Sequence, residues 1–431
     1  MKIRIDEQKF FCFAIGCLIS MQAIAAATTN LVAAWLPQAL SLYTPLLYAS
    51  FYLIVIAALL FTGRKPKWRN IFAVFFVVVS FLFTIIVSEA SVRYMWTSAT
   101  DILENPVYRL FLATFPAFLI SAHVTDTKQL AQCFEKFSYA VIVLALAQFV
   151  TAKLHGTAPE YMTFSYNILF HVAFLCNLTI QQPSWRKGCF AVVGAFLVTF
   201  AGCRGALLGL IVAVGIYYLF GTEKAARIIF YRAFGLAALC GTVMFFWEKL
   251  LSMAAAFLQQ LGINSRTMQM MLLENFWDSS GRAYYYQKTV DSLNLLGHGL
   301  YGDRVLLRGH YVHSIALEIL LDYGLVLGTV LLCAWIVVIC AGIGYANQKE
   351  RACLCALFSI GCVKLFLSGS FLNQEPGFFL MIGLCLNSIQ AHRRKQLGRR
   401  KHRDENCPNQ YGAFQQYREN HAANSTVCPR V

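Results

Sequence analysis

The chain has 431 residues, 58% hydrophobic and only 13% charged, with mean hydropathy +0.56. This excludes a string of soluble domains, because apolar runs of about 15 to 22 residues recur along the whole length, as in a polytopic helical membrane protein. A net charge of +15 suggests nucleic acid only until its positions are read: most of it falls in loops and a tail on one side of the bilayer, where the positive-inside rule accounts for it, and no nucleic-acid partner is expected.

In chain order, Met1–Lys9 is short and mixed in charge and precedes the first apolar run, Phe10–Ala27. Ala23–Ala27 offers a signal-peptide-like cleavage site, but Asp6 and Glu7 are unusual in such a leader, so a retained first helix is favoured. Further spans are expected at Ser41–Thr62, Ile71–Ser88, Arg109–Ala122, Phe137–Thr151, Thr163–Ile180, Cys189–Gly202, Gly205–Phe220 and Ile229–Trp247. Three more follow a long polar segment: a run ending Leu325–Gly344, then Arg351–Ser368 and Pro376–Ala391. The fold expected is therefore all-α, a polytopic membrane protein of about 12 transmembrane helices. Residues 1–248 carry helices 1–9, 249–312 form one large extracytoplasmic loop, 313–391 carry helices 10–12, and 392–431 form a basic cytoplasmic tail read as disordered. That tail also suits attraction to anionic headgroups.

Loop charge sets the orientation. Of the 36 Lys and Arg, 25 lie on the side of both termini and ten on the other, with Lys364 inside a span. Six of those ten fall between Lys249 and Arg308; elsewhere the bias is 25 to 4, which predicts an N-in, C-in protein of a plasma membrane. The segment Asp278–His313 then faces away from the cytoplasm, where ATP and nucleotide sugars are absent. A transfer reaction there needs a donor activated beforehand and carried across, such as a lipid diphosphate. The fifteen cysteines lie almost all in apolar runs with no CxxC pair, and read as packing residues.

Asp278–Gly328 holds the residues with chemical potential. His313 opens HSIALEILLDYGLVLG and suits removal of a proton from a sugar hydroxyl near neutral pH, or simple anchoring at the interface beside Tyr311. Arg282 follows Ser279-Ser280-Gly281, and Arg204 lies in the apolar stretch AGCRGALLGL. A guanidinium at membrane depth sits either at an interhelical turn or opposite an anion, where its fork matches phosphate oxygens. His298, in the turn Gly297–Gly302, together with Arg308 and Glu318, are possible supporting groups. That glycine-rich turn does not follow a strand, so it reads as a bend returning Arg282 towards His313 rather than a nucleotide cradle. Glu318 and Asp322 share one helix face, but no histidine cluster or D-x-D accompanies them; no metal and no cofactor are expected.

At these residues the chain resembles the O-antigen ligase and O-antigen polymerase superfamily of GT-C-type membrane glycosyltransferases. Ser280-Gly281-Arg282 leads through an aromatic helix to Asn294-Leu295-Leu296-Gly297-His298-Gly299-Leu300. His313-Ser314, nine residues, then Gly324 matches the family's histidine motif, and Cys203-Arg204-Gly205-Ala206 its small-Arg-Gly-Ala turn. The large external loop after the ninth span also agrees. Leu295 replaces a frequent proline, and Leu327 stands where the histidine motif usually ends in Gly, Thr or Tyr. The resemblance covers roughly Thr199–Gly328.

It implies a metal-independent, inverting glycosyltransferase. His313 would be the catalytic base, Arg204 and Arg282 would bind the lipid diphosphate, the donor would be an undecaprenyl-diphosphate-linked oligosaccharide, and the acceptor a glycan or lipid-linked molecule. Polymerase and ligase differ only in acceptor, with a lean towards polymerase. A twelve-span transporter or flippase is the rival of another class. It would need repeats and midplane charges, of which Lys364 is the best candidate.

Overall fold

The computed structural model describes residues 6–97, 105–157, 160–201, 203–221, 226–245, 282–373 and 375–406, with isolated positions between 249 and 260. These residues are all-helical, with no strand among them. In chain order the helices are α1 (Glu7–Trp35), α2 (Pro37–Arg64), α3 (Trp68–Val87), α4 (Glu89–Thr97), α5 (Val107–Ser121), α6 (Thr127–Leu154), α7 (Tyr161–Gln181) and α8 (Trp185–Ala201). Then come α9 (Arg204–Phe220), α10 (Ala226–Phe245), α11 (Arg282–Asp291), α12 (Gly302–Leu306), α13 (Ile315–Tyr345), α14 (348–367, with a π turn at Ser359–Val363) and α15 (Pro376–Asn406).

Six of these, α1, α2, α3, α6, α7 and α13, are long and apolar enough to cross a membrane; α5 and α9 are shorter apolar helices. The apolar runs expected as spans fall in helices, although the ends of two, Gly202 and Trp247, lie outside the described residues. Boundaries differ where polar caps extend the helix. Asp6 accepts hydrogen bonds from the backbone N–H of Gln8 and Lys9, so α1 starts before its apolar run, and Asp126 does the same for α6. The 31 residues of α13 are more than the roughly 20 that about 30 Å of hydrocarbon requires, and they are not one straight rod, because the helix is interrupted at Gly324.

The core is built around α1 and α7. Helix α1 packs on α6 and α2, while α7 contacts α6, α8, α9 and α14. Phe134, Phe170 and Phe174 interlock there edge to face and stacked, with ring centroids 5.0 to 5.9 Å apart. Helix α13 runs along α15, and α15 along α5. Between α3 and the α13–α15 pair lies an apolar cavity of about 370 Å³, lined by Phe72, Phe76, Leu300, Ile319, Trp335 and Phe378 among others. The described cysteines are all free thiols.

Helix ends are tied by cations donating to carbonyls. The Arg351 guanidinium donates to Phe220 O (2.8 Å) and Gly221 O (3.0 Å) at the end of α9, and to Ile343 O (3.0 Å) and Ala346 O (2.8 Å) at the end of α13. One buried side chain thereby satisfies the last turns of two helices.

The tail differs from expectation. Rather than becoming disordered after Ala391, α15 continues to Asn406. His392 stacks on Tyr345 with centroids 4.1 Å apart, and the Arg-, Lys- and Gln-rich sequence beyond favours helix once a template precedes it. Residues 407–431 lie outside the described residues, as do Met1–Ile5, Ser279-Ser280-Gly281 and most of 249–281.

Candidate active site

The site is organised by an interruption in α13. Gly324 has φ 78° and ψ 170°, outside helical geometry, so the ladder of i to i−4 hydrogen bonds fails there. The segment 294–299 fills the gap with its own backbone. His298 N donates to Leu321 O (2.8 Å), Gly299 N to Asp322 O (3.0 Å), and Leu325 N to Asn294 O (2.9 Å). Contact is so close that a Cβ on Gly297 would come within 2.4 Å of Gly324 N, and one on Gly324 within 2.3 Å of Leu295 O. The expected bend is therefore a wedge seated in a broken helix. His298 belongs to that wedge: its Nε2 lies 2.8 Å from Ser292 O.

A buried ionic cluster locks the wedge to its surroundings. Arg304 donates to Asp303 Oδ1 (2.5 Å), to Glu318 Oε1 (2.7 Å) and to Ser370 Oγ. Glu318 also accepts from Ser370 Oγ (2.5 Å) and Phe371 N (3.3 Å), and Asp303 accepts from Val312 N (3.1 Å). Asp322 accepts from Gly302 N (3.2 Å), while its Oδ2 is buried without a hydrogen-bond partner. All four charged residues are at most 4% exposed. Burial alone would lower the pKa of Arg304, but Asp303 and Glu318 hold it well above the ordinary value. Glu318 is thus a structural acceptor, and Arg304, not Arg308, is the arginine drawn into the protein. Arg308 is exposed, in a surface turn with φ 56°.

His313 lies just before α13, which begins at Ile315 with Ser314 as its N-cap. Its φ is 58°, a left-handed conformation uncommon for a side-chain-bearing residue. Its ring is 4.1 Å from that of Tyr311 and 6.3 Å from that of Tyr285, centroid to centroid, and Tyr286 Oη donates to His313 O (3.4 Å). Nδ1 is buried and has no hydrogen-bond partner among the described residues. Burial, then the nearby charge of Arg282, pushes the imidazole down to about 4, so it is neutral at pH 7.

The other two predicted residues approach the same place through backbone. Arg282, the first residue of α11, donates to Leu367 O, and Tyr311 Oη donates to Ser368 O (3.1 Å). Arg204 opens α9 in a turn that packs against Tyr166. A Cβ on Gly205 would lie 2.1 Å from Tyr166 Oη and 3.5 Å from Leu367 Cδ1, so the small residue beside this arginine is a steric requirement. Tyr166 in turn neighbours Cys203, Ser368 and the charge of Arg282. Lys364 is ion-paired with Glu375 and lies 5.1 Å over the Tyr166 ring. Arg282 and the Arg204 turn therefore meet at Leu367, and His313 lies beside Tyr311, which reaches Ser368; Glu318 bonds two residues further along at Ser370 and Phe371, while His298 sits in the wedge and Arg308 on the surface.

Sequence reasoning missed Arg304, Asp303, Tyr285 and the segment 368–373, and named Tyr311 only as a neighbour of His313. Acids four apart in an apolar helix, Glu318 and Asp322, were the signal that a buried cation must come from elsewhere. Among the described residues no group of three His, Cys, Asp or Glu side chains is arranged to hold a metal. The chain matches no protein-family model, no curated protein and no solved structure.

Proposed function

We propose that this protein is a membrane glycosyltransferase that moves an oligosaccharide from undecaprenyl diphosphate to an acceptor hydroxyl on the extracytoplasmic face, as a glycan polymerase or, alternatively, an O-antigen-type ligase. The observation that carries this is that Arg282 and the turn bearing Arg204 meet at Leu367, with the neutral imidazole of His313 near the Arg282 charge and against the ring of Tyr311, which bonds to Ser368. The apolar cavity beside α3 adds hydrocarbon-lined volume suited to a polyprenyl chain.

The chemistry needs a base, an acceptor and a stabilised leaving group. His313 removes the proton of the acceptor hydroxyl as its oxygen attacks the anomeric carbon. The bond from that carbon to the phosphate oxygen breaks from the opposite face, which inverts the configuration. Negative charge then collects on the departing diphosphate, where guanidinium groups stabilise it more than they stabilise the ground state. We place twelve spans in a bacterial inner membrane with both termini inside, on the loop-charge bias of 25 to 4. Lys364, the charge that best suited a transporter, is ion-paired with Glu375 beside Tyr166.

The test is reconstitution with purified lipid-linked donor and acceptor. His313→Ala and Arg282→Ala are each expected to lower kcat/KM at least about 100-fold while the protein still inserts and elutes as one species. Wild-type turnover in both variants would refute the assignment. Lengthened lipid-linked chains mark a polymerase, glycan joined to a different lipid a ligase.

A further inference from the structure

A row of aromatic rings leads from solvent to His313. Tyr284, Tyr285 and Tyr286 are consecutive on α11 and so fan around it. Tyr286 is turned inward onto the His313 carbonyl. Tyr285 lies against two imidazoles, 5.6 Å from His310 and 6.3 Å from His313. Tyr284 continues the row outward, 5.7 Å from Tyr285, is 64% exposed, and has the Lys288 ammonium 5.9 Å over its ring. His310 is exposed as well.

Aromatic side chains at a membrane surface usually anchor a helix, with rings among acyl chains and polar tips in the headgroups. This row is differently surrounded. Its neighbours are imidazoles and an ammonium, and Arg282 at the start of the same helix is engaged with Leu367 O. Flat apolar faces edged by hydrogen-bonding groups match a pyranose ring, which has a C–H face and a rim of hydroxyls.

Resting on the glycosyl-transfer assignment above, we propose that Tyr284, Tyr285 and His310 form a saccharide-binding shelf for the acceptor. A hexopyranose would lie with its C–H face on Tyr285 and present one hydroxyl to His313. Donor diphosphate and acceptor sugar then reach His313 from two directions, one by Arg282 and Leu367, the other by Tyr285.

Binding tests this without turnover. The full-length protein in nanodiscs is titrated with free oligosaccharides of neutral hexoses, N-acetylhexosamines and hexuronic acids, and separately with undecaprenyl diphosphate. At least one saccharide class is expected to bind the wild type, and Tyr285→Leu to bind it about five-fold or more weakly. Tyr285→Trp should retain binding, and undecaprenyl diphosphate affinity should be unchanged in both. No saccharide binding by the wild type, or equal binding by Tyr285→Leu, overturns the shelf. So does parallel loss of both ligands, which marks a membrane anchor or a folding defect. A His313→Ala protein that still transfers sugar refutes the base assignment alone and leaves the titration to decide the shelf.

Discussion

At the scale of single residues, His313 is set apart by what surrounds its ring. A histidine held down to about 4 by burial and Arg282 keeps its basic form across the neutral range. The acid limb of kcat/KM, which reports the free enzyme, is therefore expected near pH 4 and not near the ordinary value of about 6.5. The limb in kcat should lie higher, because bound diphosphate offsets the Arg282 charge; coincident limbs near 6.5 would remove His313 as the base. Linkage has the same sign. The folded state binds this proton less readily than the unfolded chain, so the contribution is complete above about pH 6.5 and is lost as pH falls towards 4. Two arginines four apart make a second comparison. Arg304→Ala would strand Asp303 and Glu318 as uncompensated buried carboxylates, a cost of about 3–5 kcal/mol, whereas Arg308→Ala should change stability by no more than about 0.5 kcal/mol. Melting temperatures in detergent read both. Sequence gave no means of ranking these two, because charge is visible in a chain and depth is not.

At the scale of elements, helix positions were legible and helix junctions were not. Apolar runs mark helices because lipid requires every backbone group to be paired locally. The junctions depend on main-chain carbonyls, which every residue offers and no side-chain pattern announces. Arg282 on Leu367 O, Tyr311 on Ser368 O and Arg351 on two helix ends are all of this kind. The wedge at Gly324 is the extreme case, since three backbone hydrogen bonds hold it. Gly324→Ala should unseat segment 294–299, because a methyl group would collide with Leu295 O and the residue would hold φ 78°. Faster amide exchange at His298, Gly299 and Leu325 is the expected sign, while exchange in α1 and α7 should not change.

At the scale of the whole molecule, the all-helical class and the apolar spans followed from composition, while the gathering of Arg204, Arg282 and His313 depends on contacts between residues far apart in the chain. Helix α1 shows the same dependence. Phe11, Ile15 and Leu18 are at most 3% exposed because α2, α5, α6 and α7 close around that run. Orientation is the property to test at this scale. A reporter fluorescent only in the cytoplasm should be bright when fused after Asn406, and one active only after export should work when inserted at the exposed turn Arg308–Gly309. The opposite pattern would place His313 on the side where nucleotide sugars are available and undo the lipid-diphosphate assignment.

A rod cut at one point carries no twist past the cut. In α13 the cut at Gly324 is splinted from outside: segment 294–299 donates to Leu321 O and Asp322 O on one side and accepts from Leu325 N on the other, so the piece bearing Glu318 and Asp322 is aligned with the rest of the helix through the wedge rather than through the helix's own ladder.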